Sequence, residues 1–82
     1  MKVSEKNIRV ATVFEPGGKI RPVWFDWKRH KHTILETTYT WYGSRGEAKL
    51  LYFAVRDQGG MYELTYDTSD HTWCLEALEA KP

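Results

Sequence analysis

With only one cysteine, Cys74, in 82 residues, the chain cannot form an internal disulfide and is not a stapled secreted scaffold. No apolar run approaches the roughly 20 residues that a helix needs to span a bilayer. Residues 1–6 are polar and offer no leader-like apolar stretch, so the expected compartment is a reducing cytoplasm. Gly17-Gly18 and Gly59-Gly60 are not followed by Gly-Lys-Ser/Thr, which excludes a phosphate loop of that kind. Repeats, linkers and low-complexity segments are also missing. The length suits one domain, residues 1–82, with a core over about 7–78.

What the chain does have is aromatic side chains: four Trp, five Tyr and three Phe. Each one buries a large area, so a thin domain can build its core from few positions. A stacking surface is the competing use for the same rings. Charge is balanced overall but not along the chain. Residues 1–46 carry nine Lys/Arg and four Asp/Glu, and residues 47–82 carry three and seven. Such polarity can steer an anionic partner.

Apolar residues mostly recur with period two, the signature of half-buried strands. Ile8, Val10, Thr12 and Phe14 form a first run, closed by Glu15-Pro16-Gly17-Gly18. Val23, Phe25 and Trp27 share one face of a second, with Pro22 expected near its start or on an edge. Residues 28–32 read as a polar hairpin tip. Residues 33–42 suit a pleated surface, and a bulge between Ile34 and Leu35 would reconcile their two phases. Leu51, Phe53 and Val55 alternate with Leu50, Tyr52 and Ala54, so this strand is expected to be covered on both faces. Tyr62, Leu64 and Tyr66 follow an Asp57-Gln58-Gly59-Gly60 turn. Trp73, Leu75 and Ala77 follow Asp67-Thr68-Ser69-Asp70, and the helix formers after Leu75 suggest a final helical turn. The expected fold is all-β: a six-stranded antiparallel meander curled into a small, partly open barrel or a strongly twisted sheet.

The most site-like local feature is basic. Lys28, Arg29 and Lys31 crowd the hairpin tip, Arg21 and Lys19 lie on or before the preceding strand, and Trp24 has the parity of an exposed ring. Clustered cations beside a stacking ring suit phosphates and bases; a solvated tip that protects a strand edge is the alternative. His30 and His32 would face one side of a strand, yet a tetrahedral metal site lacks further ligands there and flanking lysines repel a cation. Cys74 reads as an ordinary, partly buried thiol, because His71 is three residues away on an extended strand. Asp57, Asp67 and Asp70 fall in turns, where aspartate bonds backbone amides, and Asp26 suits a cation on a neighbouring strand. No catalytic residue, metal or cofactor is called for.

Several strings resemble a family of uncharacterised small bacterial all-β domains. They are Pro22-x-x-Phe25-x-Trp27-Lys28-x-x-x-His32-x-Ile34, Trp41, Tyr52-Phe53-x-Val55, Tyr62-Glu63-Leu64-x-Tyr66-Asp67 and Trp73-x-Leu75, spread over residues 20–78. That family has no established activity, and some of its members are encoded beside, or attached to, DNA polymerases of the lesion-bypass type. The resemblance therefore implies a nucleic-acid or repair-complex role. This chain departs from the family's Arg/Gly-rich hairpin by placing His30 and His32 there.

The reading that needs fewest assumptions is a non-catalytic protein-interaction module, with a protein partner or a second copy meeting an exposed strand edge or aromatic patch. A nucleic-acid-binding domain using Arg21, Trp24, Lys28, Arg29 and Lys31 is the main alternative. An enzyme for a small anionic substrate comes last, for want of a nucleophile–base pair.

Overall fold

The computed structural model describes residues 3–80. Eight strands run in chain order: β1 (Val3–Ile8), β2 (Val10–Phe14), β3 (Ile20–Trp27), β4 (His30–Thr33), β5 (Glu36–Arg45), β6 (Ala48–Arg56), β7 (Gly60–Asp67) and β8 (Thr72–Ala80). They form two antiparallel sheets, one of five strands in the order β1-β8-β7-β6-β5 and one of three in the order β2-β3-β4. The domain is all-β, as its alternation predicts. Among the described residues the sheets neither close nor curl into a barrel, and the expected six strands are eight.

Two crossings account for the difference. Asn7 adopts a left-handed backbone (φ 58°), which asparagine tolerates, and it shifts the β1–β8 register between Lys6 and Ile8. The run from Ile8 to Phe14 therefore breaks, and Arg9 already bonds the other sheet, its carbonyl accepting the Asp26 amide at 2.9 Å. The second crossing lies where a bulge was expected. The Ile34 amide donates to Val23 in the small sheet, and the next amide, Leu35, donates to Arg56 in the large one. The double phase of residues 33–42 marks a change of sheet, not a bulge. A register shift does occur nearby, between Thr37 and Tyr39.

Three further corrections are local. Only Lys28 and Arg29 form the hairpin tip; residues 30–33 are strand, invisible in a sequence with no apolar period there. A register shift in the β2–β3 pair puts buried Pro22, rather than half-buried Val23, in phase with Phe25. Pro22 sits beyond the last β3–β4 pair, Trp24 with Thr33, where β3 has one neighbour and a missing N–H is harmless. The tail continues as β8 instead of turning helical, because Leu75 and Ala77 are buried and the ladder overrides propensity.

The sheets meet over one core that includes Phe25, Trp27, Phe53, Val55, Tyr62, Leu64, Tyr66, Trp73, Leu75 and Ala77. The β6–β7 and β7–β8 turns are built by aspartates, as the sequence predicts. Asp57 Oδ1 accepts the amides of Gly59 (2.7 Å) and Gly60 (2.9 Å), and Asp67 Oδ1 accepts those of the Ser69 amide (2.9 Å) and hydroxyl (2.6 Å).

Candidate functional site

The small sheet concentrates the charge polarity of the sequence: residues 9–33 hold six Lys/Arg and two Asp/Glu. On its outer face, Lys31 Nζ lies 4.8 Å and Arg9 Cζ 5.5 Å from the centroid of the half-buried Trp24 ring. Arg9 also grips Asp26, at 2.7 and 2.6 Å, which supplies the expected partner for that acid. The remaining basic residues diverge. Arg21 pairs with Glu15 at 3.2 Å, and Lys28 Nζ sits 4.8 Å over Trp27, a core ring, not over Trp24. The structure thus joins Trp24 with Lys31, adds Arg9, and sets Arg21 and Lys28 apart. Lys28 (φ 52°) and Arg29 (φ 66°) both take left-handed backbones, the geometry of a two-residue hairpin turn that favours Asn-Gly.

His32 is not a ligand beside His30 but a rivet between the sheets. Its ring stacks on Phe25 at 5.0 Å and 5°, and its Nδ1 lies 2.7 Å from Asp57 Oδ2 at the β6–β7 turn. A carboxylate only accepts, so Nδ1 carries the hydrogen. Burial pushes the Asp57 carboxyl up, but the His32 hydrogen bond, the Gly59 and Gly60 amides and the His32 charge together hold it below its ordinary 3.8. Tyr62, raised by burial and then by the Asp57 charge, completes the cluster. Among the described residues, no three His, Cys, Asp or Glu side chains are placed to hold a metal. His71 Nδ1 sits 2.7 Å from the Tyr66 hydroxyl, and Cys74 is half-buried.

What sequence reasoning missed is that β5, readable as a strand, is an edge. This ten-residue strand forms one edge of the large sheet and is exposed at most positions. Residues 37–44 carry no charge and are mostly Thr, Tyr and Trp, strong strand formers. On the sheet's outer face, Tyr39 stacks on Trp41 (5.5 Å, 28°) and Trp41 on Tyr52 (5.1 Å, 3°). Tyr39 is 66% exposed and Tyr42, on the opposite face, 75%. The row depends on Gly43: a Cβ there would stand 2.6 Å from Tyr52 Cε2, so only glycine lets the ring lie flat across β5. Natural edges are usually blunted by charge, proline, shortness or bulges. β1 has Glu5 and Lys6, β4 has Lys31, and β2 is only five residues long. β5 has charge only at its two ends, Glu36 and Arg45, and a single register shift near one of them. Its sequence signal was a Thr-rich run with few aliphatics, but edge position follows from topology that no local pattern encodes.

No family model, curated protein or solved structure matches this chain. Its function must be argued from its own surfaces. Beside the aromatic row, the outer face of the large sheet hollows into a groove of about 600 Å³, lined by Lys6, Arg45, Leu50, Tyr52, Thr65 and Cys74 among others.

Proposed function

We propose that this domain is a non-catalytic protein-interaction module that receives an extended strand along β5. The observation that carries this reading is the long, exposed edge, uncharged from 37 to 44, with its aromatic row. Open amides and carbonyls on such an edge give affinity to any added strand, and the rings beside it give selectivity. The test is to select extended peptides from a displayed random library and map the bound peptide by NMR. Shifts confined to residues 36–56 support the reading; shifts centred on the small sheet reject it.

A second reading, a nucleic-acid-binding domain using Arg21, Trp24, Lys28, Arg29 and Lys31, is favoured by one observation. Two bulky cations occupy left-handed turn positions that cost about 1–2 kcal/mol each for residues with a Cβ, and strain of this kind collects at functional sites. The resemblance to domains encoded beside lesion-bypass polymerases points the same way. It ranks second because the Trp24 ring is already covered by Lys31 and Arg9, so a base must displace a cation to stack there. The double variant Lys28→Asn/Arg29→Gly is expected to be about 1 kcal/mol more stable, since relief of strain exceeds the loss of Lys28 over Trp27. If the tip binds single strands, the slope of log K against log salt should shrink by roughly 0.7 per lost phosphate contact. Unchanged oligonucleotide affinity at low salt would rule this reading out.

A further inference from the structure

We propose that the strand β5 receives is β5 of a second copy of this chain, paired antiparallel about a two-fold axis through Trp41. This rests on the strand-addition reading above and names its partner.

The argument is one of register. In β5, Tyr39, Trp41, Gly43 and Arg45 pair with Ala54, Tyr52, Leu50 and Ala48, so all four share the outer face, while Thr40 and Tyr42 share the inner one with Phe53 and Leu51. The register shift between Thr37 and Tyr39 drops one residue out of the ladder, which returns Glu36, opposite Arg56, to the outer face. A two-fold axis normal to the sheet keeps faces matched only if each residue meets one of its own face. Centring the axis on Trp41 satisfies this at every position. Trp41 meets the partner's Trp41, Thr40 meets the partner's Tyr42, and Tyr39 meets the partner's Gly43. With the shift counted, Glu36 then meets the partner's Arg45, and Arg45 the partner's Glu36.

Each pair is chemically apt. The ring of Tyr39 crosses a residue with no side chain and reaches the partner's Tyr52, which already lies across that glycine. The two aromatic rows become one. Opposite charges close both ends of an otherwise uncharged strand, so charge alone selects this direction: parallel pairing would set Glu36 on Glu36 and Arg45 on Arg45. Because the contact is isologous, each copy consumes the other's open edge, and assembly stops at two chains joined through one continuous sheet. A contact built from one strand pair and a few rings is small, so the dimer should be weak and concentration-dependent.

Sedimentation equilibrium over 1–500 µM, about the span from trace to crowded solution for a dissociation constant on the order of 10 µM, tests the proposal. The wild type is expected to pass from monomer to dimer. Glu36→Arg and Arg45→Glu, each setting like charges opposite, should weaken the dimer about tenfold or more. Because Glu36 also accepts from Arg56 Nε of its own chain at 3.0 Å, the full charge exchange E36R/R45E/R56E should restore it to within a few-fold, a rescue that neither misfolding nor a different interface produces. A chain that stays monomeric at 500 µM while selected peptides still shift residues 36–56 overturns the second copy and leaves strand addition standing. A dimer indifferent to both single exchanges overturns the proposal as well, since it forms elsewhere.

Discussion

Replacing Phe25 by alanine is expected to remove about a quarter or more of the domain's stability at 25 °C. Phe25 is 0% exposed, packs edge-on against Tyr62 of the large sheet at 5.2 Å, and carries the stacked His32 ring on its face. Truncating a buried phenylalanine costs about 3–5 kcal/mol, from lost transfer energy and the cavity left behind. A chain of this length has roughly 4–12 kcal/mol in all. The loss falls where the sheets meet, because Phe25, Trp27 and His32 all touch the Tyr62 ring of the large sheet. Phe14→Ala is the matched control: that ring is 64% exposed and should change stability by no more than about 0.5 kcal/mol. Urea titration of the two variants beside the wild type reads both. Similar midpoints would mean that the sheets do not pack through Phe25.

The next largest effect is expected at Asp57. Its side chain is 9% exposed and accepts from His32 and from two turn amides, so Asp57→Ala leaves three donors without their acceptor. Hydrogen bonds to a charged group contribute about 1.5–3 kcal/mol, and buried donors left unpaired add to the loss. The expected cost is roughly 2–4 kcal/mol. The same carboxylate makes the fold acid-sensitive. Its folded-state value lies below 3.8, so its contribution is fully present above the unfolded value and is lost as pH falls through the folded one. Thermal melts between pH 6 and 2 should show the wild type losing stability in that lower range, with Asp57→Asn flatter there. Tyr62, whose value is raised, acts at the other extreme: stability present below about pH 10 is lost as its hydroxyl ionises. Parallel acid melts of the wild type and Asp57→Asn would remove Asp57 from this role.

Much of this architecture is readable from local chemistry. Phe25, Trp27, Phe53, Leu64 and Trp73 are core-facing by alternation and are buried in the structure. Pro16-Gly17-Gly18, Gly46, Asp57 and Asp67 place turns because their backbone preferences are intrinsic. The partition into two sheets is not readable, since it depends on which amide Ile34 and Leu35 each find, and those acceptors lie 11 and 21 residues away in sequence. β4 escaped notice because His30-Lys31-His32-Thr33 shows no apolar alternation; only the partner strand reveals that His32 points inward. The aromatic composition was ambiguous in the same way. Tyr39 and Trp41 alternate as cleanly as Tyr62 and Leu64, yet the first pair lies on an edge and the second in the middle of a sheet. The basic tip was legible as a cluster, whereas its dispersal was not, because Glu15 and the Trp27 ring draw Arg21 and Lys28 in separate directions.

The pairing of β1 with β8, which sets Val3 beside Ala77, governs the order in which the molecule can assemble. Strands β5 to β8 follow one another through short turns and can zip up as they emerge from a ribosome. β1, made before the other seven, has to wait for β8. Until then Ile8, buried in the finished core, and the free side of β8 have nothing to lie against, and the search that joins them spans all six strands between. Contacts of such long range make folding slow, on the order of milliseconds to seconds. The five-stranded sheet therefore cannot be sealed at its β8 side until all eight strands have been made.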